Sequence, residues 1–481
     1  MKKNIYILLL ILLFNTYCFS QTTRFNNIYN NYYAANLANV YEYNNGYICL
    51  GGGRELINPS GNLRIILYHT DYLGNIIWEK SFGDETYYYY HGTRNSLIEN
   101  TDGGYSLSGS LNNETNNICL LMKFDQNFDT LWTKLYFDNP DYTVFYNHIQ
   151  TTDGGFALVG CTTESDADGD VLLVKTDSDG NMLWYKKYGT SGRDMGFCIV
   201  ETPDNGFLIG GSCGLGNTDG YLVKTDSEGN QQWTRHYGNS LYPDGTIYTI
   251  GVTPQNEYIL PIGYITTPIS EPFYNRKYRF IKLDSDFNEV WNKEYGVEAE
   301  YTGIGTITVA NDGDIWATVT DDNITSLFHL TPNGDSISKH YYSAEGSTGV
   351  KSLLSIKQTP DNGFIMAGVA YEPQVMWLVK TDSCGCVEED CECGGNEVES
   401  ILVNNEIEVY PNPASDLLFL QLHENAGDAE INIYDATGRL VKSEKLVNNQ
   451  TAINIRTLTA GSYVLKVQFR DNFKTVGFIK N

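Results

Sequence analysis

Positive charge is scarce in this chain. Its 32 Lys and Arg stand against 59 Asp and Glu, a formal net charge of −27 at pH 7. Nearly all of the excess falls on 21–402, because the first twenty residues carry only Lys2 and Lys3 and the stretch 403–481 is close to neutral. A surface this acidic repels phosphate backbones and anionic headgroups, which argues against nucleic acid and anionic lipid as partners. It suits an extracellular protein or a binder of cations. Long apolar runs are also missing. Beyond the N-terminal stretch, no segment is long enough for a transmembrane span. There are only 7 His, and no His-rich metal motif, phosphate loop or Ser-His-Asp order stands out. Of these, His91 and His148 would be the catalytic candidates, and a structural role suits either better.

The N-terminus reads as an address. Lys2 and Lys3 precede the apolar run 5–14, then Cys18, Phe19, Ser20 and Gln21. This is the pattern of a secretory signal peptide over 1–20, too short to span a membrane stably. The residues before Cys18 are not those of a lipoprotein box, so cleavage is expected after Ser20.

The rest of the first four hundred residues is repetitive. A unit of roughly fifty residues recurs seven times. The residue after its first turn marks each copy: Tyr47, Tyr105, Phe156, Phe207, Tyr258, Ile315 and Phe364. In the third copy, apolar runs at 156–161, 171–176 and 182–188 are separated by turns rich in Asp, Gly and Asn, residues that bond their own backbone or tolerate positive φ. Four short strands per unit at this period mean a propeller blade. The chain is therefore expected to be all-β, a seven-bladed β-propeller over 21–383. Trp78, Trp132, Trp184, Trp233 and Trp291 recur four residues after the third turn and are expected to fill the space between blades. Ile337 is expected in that place in the sixth copy. The seventh copy has three strands, and 22–30 has the pattern of the missing fourth. The N-terminal strand should close the ring and remove two open sheet edges.

Four cysteines cluster at Cys384, Cys386, Cys391 and Cys393, within a clip and linker over 384–406. Zinc is one reading of such a cluster. The secreted context favours two disulfides and no metal. Cys49, Cys119, Cys161, Cys198 and Cys213 are an odd number scattered in strands, so at least one is expected as a buried free thiol.

From 407 to 481 the alternation changes to that of a small Ig-like β-sandwich. Its motifs are Tyr410-Pro411-Asn412-Pro413, then IYDATGRLV with Gly438 and Arg439, then GSYVLKV with Gly461 and Tyr463, then a basic and apolar end. In this order they resemble the C-terminal sorting domain (type A) of the type IX secretion system of Bacteroidota. The resemblance implies transport across the outer membrane by that machinery. It also implies removal of the domain by a sortase-like peptidase, with the mature protein released or attached to the cell surface. The propeller's motifs, DGG-aromatic and KTD-x-x-GN-x-x-W, resemble repeats common in secreted proteins of the same bacteria. That likeness implies no particular activity.

Function is expected on one face. The turns joining first to second and third to fourth strands are nearly identical between copies, whereas the other connections vary and share the opposite face. Variable loops on a rigid scaffold are where binding sits. The candidates are Tyr87, Tyr88, Tyr89, Tyr90, His91, Tyr142, Arg193, Asp194, Tyr242 and Asp244, with Phe145 and His148 on the same stretches, and aromatic rings with scattered polar groups suit a glycan or a peptide. No cofactor is expected. Asp166, Asp168 and Asp170 are a calcium candidate, but the distal Glu of such a loop is missing. The turn with its Trp also resembles quinone-cofactor propellers, but the adjacent Cys pair is absent. It resembles the Asp box of sialidases too, with the aromatic one residue too far along. The principal reading is a non-catalytic binding or adhesion protein. The alternative is a hydrolase with paired carboxylates at the propeller mouth.

Overall fold

A computed structural model describes residues 23–391 apart from 57, 59–60, 114, 140–141, 164–168, 191, 215–218, 239–244, 266–275, 300–301, 322–323 and 389–390. In the C-terminal part it describes 407–410, 414–415, 417–422, 430–435, 439–445, 450–468 and 473–480. The expected signal peptide, Asp166, Asp168, Tyr242, Asp244, Cys393, Pro411, Asn412, Pro413 and Gly438 lie outside the described residues. The chain divides into two compact units, 1–396 and 397–481. The fold is all-β, and no described helix is long and apolar enough to cross a membrane.

The described residues of the first unit hold seven antiparallel sheets. Blade 3 shows the plan: Tyr142–Gln150 inside, then Phe156–Thr163, Asp170–Thr176 and Met182–Tyr188 outward in chain order. In blade 2 the inner strand is split into Tyr88–His91 and Leu97–Glu99. Blade 7 takes its outer strand from the start of the chain. Phe25–Tyr29 pairs antiparallel with Val375–Thr381, and Phe25 stands opposite Lys380 as Trp184 stands opposite Lys175. Closure is sealed by packing, since Leu37, Val40 and Ile66 of blade 1 share one core with Ile365, Met376 and Leu378 of blade 7.

The apolar core lies between blades because each sheet buries both faces against its neighbours. Val159 and Leu173 of blade 3 cluster with Ile209 and Val223 of blade 4. Each recurring Trp reaches the next blade: Trp184 lies 6.4 Å from Phe207, and Trp132 lies 6.0 Å from Phe156, ring to ring. The sixth copy corrects the sequence reading. Ser338, opposite His329, occupies the Trp position, and Ile337 precedes it and is exposed. The missing ring comes from the second strand instead. Trp316 stacks on His329 at 3.7 Å and meets Phe364 of blade 7 at 4.3 Å.

The repeated turn chemistry has a structural purpose. Asp153 accepts a bond from the Gly155 amide at 2.9 Å and an ion pair from Lys175 at 2.9 Å. The pairs Asp102–Lys123, Asp204–Lys224, Glu257–Lys282 and Asp361–Lys380 repeat this, with Asp314–His329 in blade 6. The third-turn Asp177 caps its own turn through the amides of Asp179 and Asn181. These acids of the consensus are therefore occupied by structure.

Cys386 and Cys391 form a disulfide, and Cys384 is disulfide-bonded too. The clip meets the closing strand: Arg24 pairs with Asp382 at 3.2 Å and donates to the Glu388 carbonyl at 2.6 Å. All five scattered cysteines are free and buried. The second unit is a sandwich of a three-stranded and a four-stranded sheet around Leu418, Leu420, Ile431, Ile433, Ile453, Leu465 and Val467. Arg439 pairs with Asp435 at 3.1 Å across a turn, and Tyr463 donates to the Thr459 carbonyl at 2.7 Å.

Candidate functional site

The inner strands of a propeller line its central channel, so a residue that breaks an inner strand projects there. Blade 2 has such a break at 92–96. Gly92 permits it, because a Cβ at this position would lie 2.2 Å from the Tyr146 carbonyl oxygen. The segment is fastened to the inner strand of the neighbouring blade 3. The Thr93 amide donates to the Tyr146 carbonyl at 2.7 Å, and Asn147 donates to the carbonyls of Arg94 and Asn95 at 2.9 and 3.1 Å.

Arg94 is thereby carried to blade 5. Its guanidinium lies 4.1 Å from the ring centre of Tyr248. Tyr248 is 4.8 Å from Phe197 of blade 4, which stacks at 4.7 Å on Tyr146 of blade 3. The Tyr146 hydroxyl is 3.5 Å from that of Tyr142, at the rim of the loop face. The Arg193 guanidinium lies 6.0 Å from the Tyr142 ring. Tyr90 of blade 2 has Arg54, Tyr88 and Tyr142 as its electrostatic neighbours. The result is an aromatic ladder from the rim into the channel. Tyr90 and Tyr142 are 42% and 39% exposed, Tyr146 and Tyr248 are half-buried, and Phe197 is buried. Burial pushes the Tyr146 phenol well above its ordinary range, so it is a neutral hydrogen-bonding group.

The expected residues divide. Tyr90, Tyr142 and Arg193 belong to the ladder. Tyr87 and Tyr89 pack on the core between blades 1 and 2, and Tyr89 donates to Asp84 at 2.8 Å. Tyr88 is half-buried beside Tyr90. His91 lies beneath, its Nδ1 2.6 Å from the Gly92 carbonyl and its Nε2 3.3 Å from Asn36, and burial lowers its pKa. The Asp194 carboxylate is turned into its own loop. It is fully buried, accepts from the Thr190 amide and hydroxyl, and thereby ties down the loop that presents Arg193. Asp170 Oδ1 and Asp194 Oδ2 both occupy the space that a Cβ at Gly189 would need. Phe145 faces the core, and His148 is sealed between Ser106 and Ser108, where burial lowers it to about 3. A Cys213–His236 pair at 3.1 Å lies on the same face of blade 4. Burial holds that thiol up at about 12, so it is not a ready nucleophile.

Sequence reasoning missed Arg94, Tyr146, Phe197 and Tyr248. Their partners lie up to three blades away in the chain. The available signals were Gly92-Thr93-Arg94-Asn95, which interrupts the inner strand of blade 2, and the 51-residue spacing of Tyr146, Phe197 and Tyr248.

Comparison with known proteins places the second unit. Residues 408–481 match the model of the secretion system C-terminal sorting domain. The chain carries a sorting tail. It is handled by type IX secretion, and the protein's place is outside the cell, secreted or attached to the outer-membrane surface. No curated protein matches the sequence. Among solved structures it is similar to the GH93 α-L-arabinofuranosidase of Fusarium graminearum at 13% identity and TM-score 0.44, covering 75% of this chain and 98% of that one. It is similar to a virginiamycin B lyase from Staphylococcus aureus at 12% identity and TM-score 0.43, over 74% and 99%. A polysaccharide lyase gives 11% identity and TM-score 0.45, over 76% and 94%.

Proposed function

We propose that the exported propeller is a non-catalytic binding protein that holds a glycan chain across the mouth of its loop face. One observation carries this reading: four rings from three successive blades, Tyr142, Tyr146, Phe197 and Tyr248, follow one another from rim to channel, with Tyr90 of blade 2 exposed on its inner strand. The exposed rings of Tyr90 and Tyr142 offer broad apolar contact at low entropic cost, and their phenolic hydroxyls satisfy sugar hydroxyls, while the inner rings pack on one another beneath them. Tyr87, Tyr88, Tyr89 and His91 form the shoulder that fixes Tyr90, and Asp194 fixes Arg193.

A hydrolase reading needs two carboxylates open to the mouth. Of the acids adjacent to Tyr142 and Arg193, Asp141 lies outside the described residues and Asp194 is sealed from solvent. Incubating a bound glycan with the protein and assaying new reducing ends distinguishes the two. Binding without cleavage is expected, and turnover would replace this reading with the enzymatic one.

The direct test is a glycan array probed with the full chain and with Tyr90→Ala/Tyr142→Ala. The double variant should bind at least about tenfold more weakly. Unchanged binding would refute the site. The tail should be removed on export, so peptides from 431–442 should be missing from surface-attached protein by mass spectrometry.

A further inference from the structure

Ring closure rests on a strand of five residues, Phe25–Tyr29, at the outer edge of blade 7. A short edge strand holds few ladder bonds, so what grips its start matters. That grip is Arg24. Its guanidinium pairs with Asp382 at 3.2 Å and donates to the Glu388 carbonyl at 2.6 Å. Asp382 is fixed by its own turn, accepting from the amides of Cys384 and Cys386 at 2.9 Å each. Glu388 is fixed differently. It is exposed and lies inside the loop that the Cys386–Cys391 disulfide closes. The bond ties the far end of that loop to Cys386, which is 1% exposed.

The seam beneath departs from the repeat at the same place. At four other seams a Lys of the outer strand crosses to the third turn of the next blade: Lys80 to Asp129, Lys134 to Asn181, Lys186 to Asn230 and Lys293 to Asp335. Between blades 6 and 7, His340 stands at that outer-strand position, two residues after Ser338. Cys386, four residues after Asp382, stands where Asn181 stands after Asp177. His340 faces Cys391 at 3.8 Å. The contact from Lys to turn is thus replaced by a covalent loop with an imidazole against it.

We propose that the Cys386–Cys391 bond is a redox latch on ring closure. Formed, it confines the loop and keeps the Glu388 carbonyl on Arg24, which holds the start of the closing strand. Opened, it lets 387–391 move away from Arg24, and the strand is held less firmly. The couple is a small thiol and its disulfide, such as glutathione. One glutathione attacks Cys391, the less buried of the two sulfurs, and Cys386 leaves as a thiolate and takes up a proton. A second glutathione frees Cys391, so two electrons and two protons reach the protein and one oxidised glutathione departs. Coupling of this kind is reciprocal, so Arg24 must also favour the closed bond.

Both directions are measured on the full chain. Hydrogen–deuterium exchange at 25–29 is compared between wild type and Cys386→Ser/Cys391→Ser, and in wild type before and after reduction, which keeps the test valid where the variant folds poorly. Exchange there should rise about fivefold, with 156–163 of blade 3 unchanged. Wild type and Arg24→Gln are then equilibrated over a series of glutathione ratios, and Cys386 and Cys391 are scored by thiol alkylation and peptide sequencing. Arg24→Gln should shift the ratio for half-reduction about fivefold in favour of the thiols. Exchange at 25–29 indifferent to the bond, exchange raised equally in every blade, or a redox equilibrium that ignores Arg24→Gln overturns the latch.

Discussion

The two faces of the propeller are built from the same strands and to opposite rules. On the turn face, the acid of the first turn meets the Lys of the third strand in five of the blades, and the turns superimpose chemically from copy to copy. On the loop face the connections differ from blade to blade, although Tyr146, Phe197 and Tyr248 repeat one ring position at a spacing of 51 residues. Blade 2 breaks its inner strand to send Arg94 across the channel, while blade 4 offers Phe197 and blade 5 Tyr248. Sameness follows where each blade must solve one problem, burying a cation and closing a turn. Difference accumulates where strands merely have to be joined, and there the molecule places rings and guanidinium groups that packing does not require.

The comparison can be broken most severely at ring closure. Deleting 22–30 removes the outer strand of blade 7, together with Phe25 and the Arg24–Asp382 pair. The thermal transition should broaden and fall by far more than for any point change. Phe25→Ala alone should cost about 3 kcal/mol in urea unfolding. An unchanged melt of the deletion would mean that the ring does not depend on this strand.

The turn face can be broken next. Asp361→Ala strands the Lys380 ammonium, whose side chain is 1% exposed. Denaturant unfolding should show a loss of about 3 kcal/mol, because the remaining charge is buried without its partner. Ligand binding, on the opposite face, should not change. A milder form of the same test is acid. Burial would raise the Asp153 carboxyl, but hydrogen bonds from Thr151, Lys175 and Gly155 overcome this and hold it at about 2. Asp102, Asp204 and Asp361 are likewise lowered, burial opposing and the Lys contacts prevailing. A carboxyl whose folded pKa is depressed stabilises the fold above its ordinary value near 3.8 and loses that contribution as pH falls toward 2. Melting temperature should thus be flat from neutrality to about pH 4 and drop below it. A drop centred near pH 6 would point to other groups.

The loop face should respond with the opposite pattern. Tyr142→Ala should shift stability by less than about 0.5 kcal/mol, since the ring is exposed, and still weaken ligand binding. A stability loss as large as that of Asp361→Ala would mean that Tyr142 is packing rather than a binding surface.

How much of this was legible in the sequence follows the same division. The turn face was readable because its chemistry is local: Asp153 to Gly155 and Asp177 to Asn181 span a few residues. Ring closure was readable because the seventh copy lacked a strand whose pattern stood before the first. The Trp position failed in blade 6, where the apolar Ile337 stood out although both the four-residue spacing from Gly334 and the strand register put Ser338 there, and Trp316 filled the gap from another strand. At the mouth, Tyr90, Tyr142 and Arg193 were found as rim residues, whereas Tyr146, Phe197 and Tyr248 were hidden among ordinary inner-strand apolar positions. The inward turn of the Asp194 carboxylate to Thr190 was not legible, because an Arg-Asp pair in a loop gives no hint of which way the acid points.

Hydrogen–deuterium exchange of the full chain with and without a bound glycan tests the division of faces most directly. Protection should appear at 88–95, 142–148, 193–198 and 246–249, the segments of the ladder, and the turns at 153–155, 204–206 and 361–363 should exchange as before. Protection centred on the turn face, for example around the small cavity lined by Thr253, Glu257, Lys282 and Pro332, with the ladder unchanged, would contradict the account.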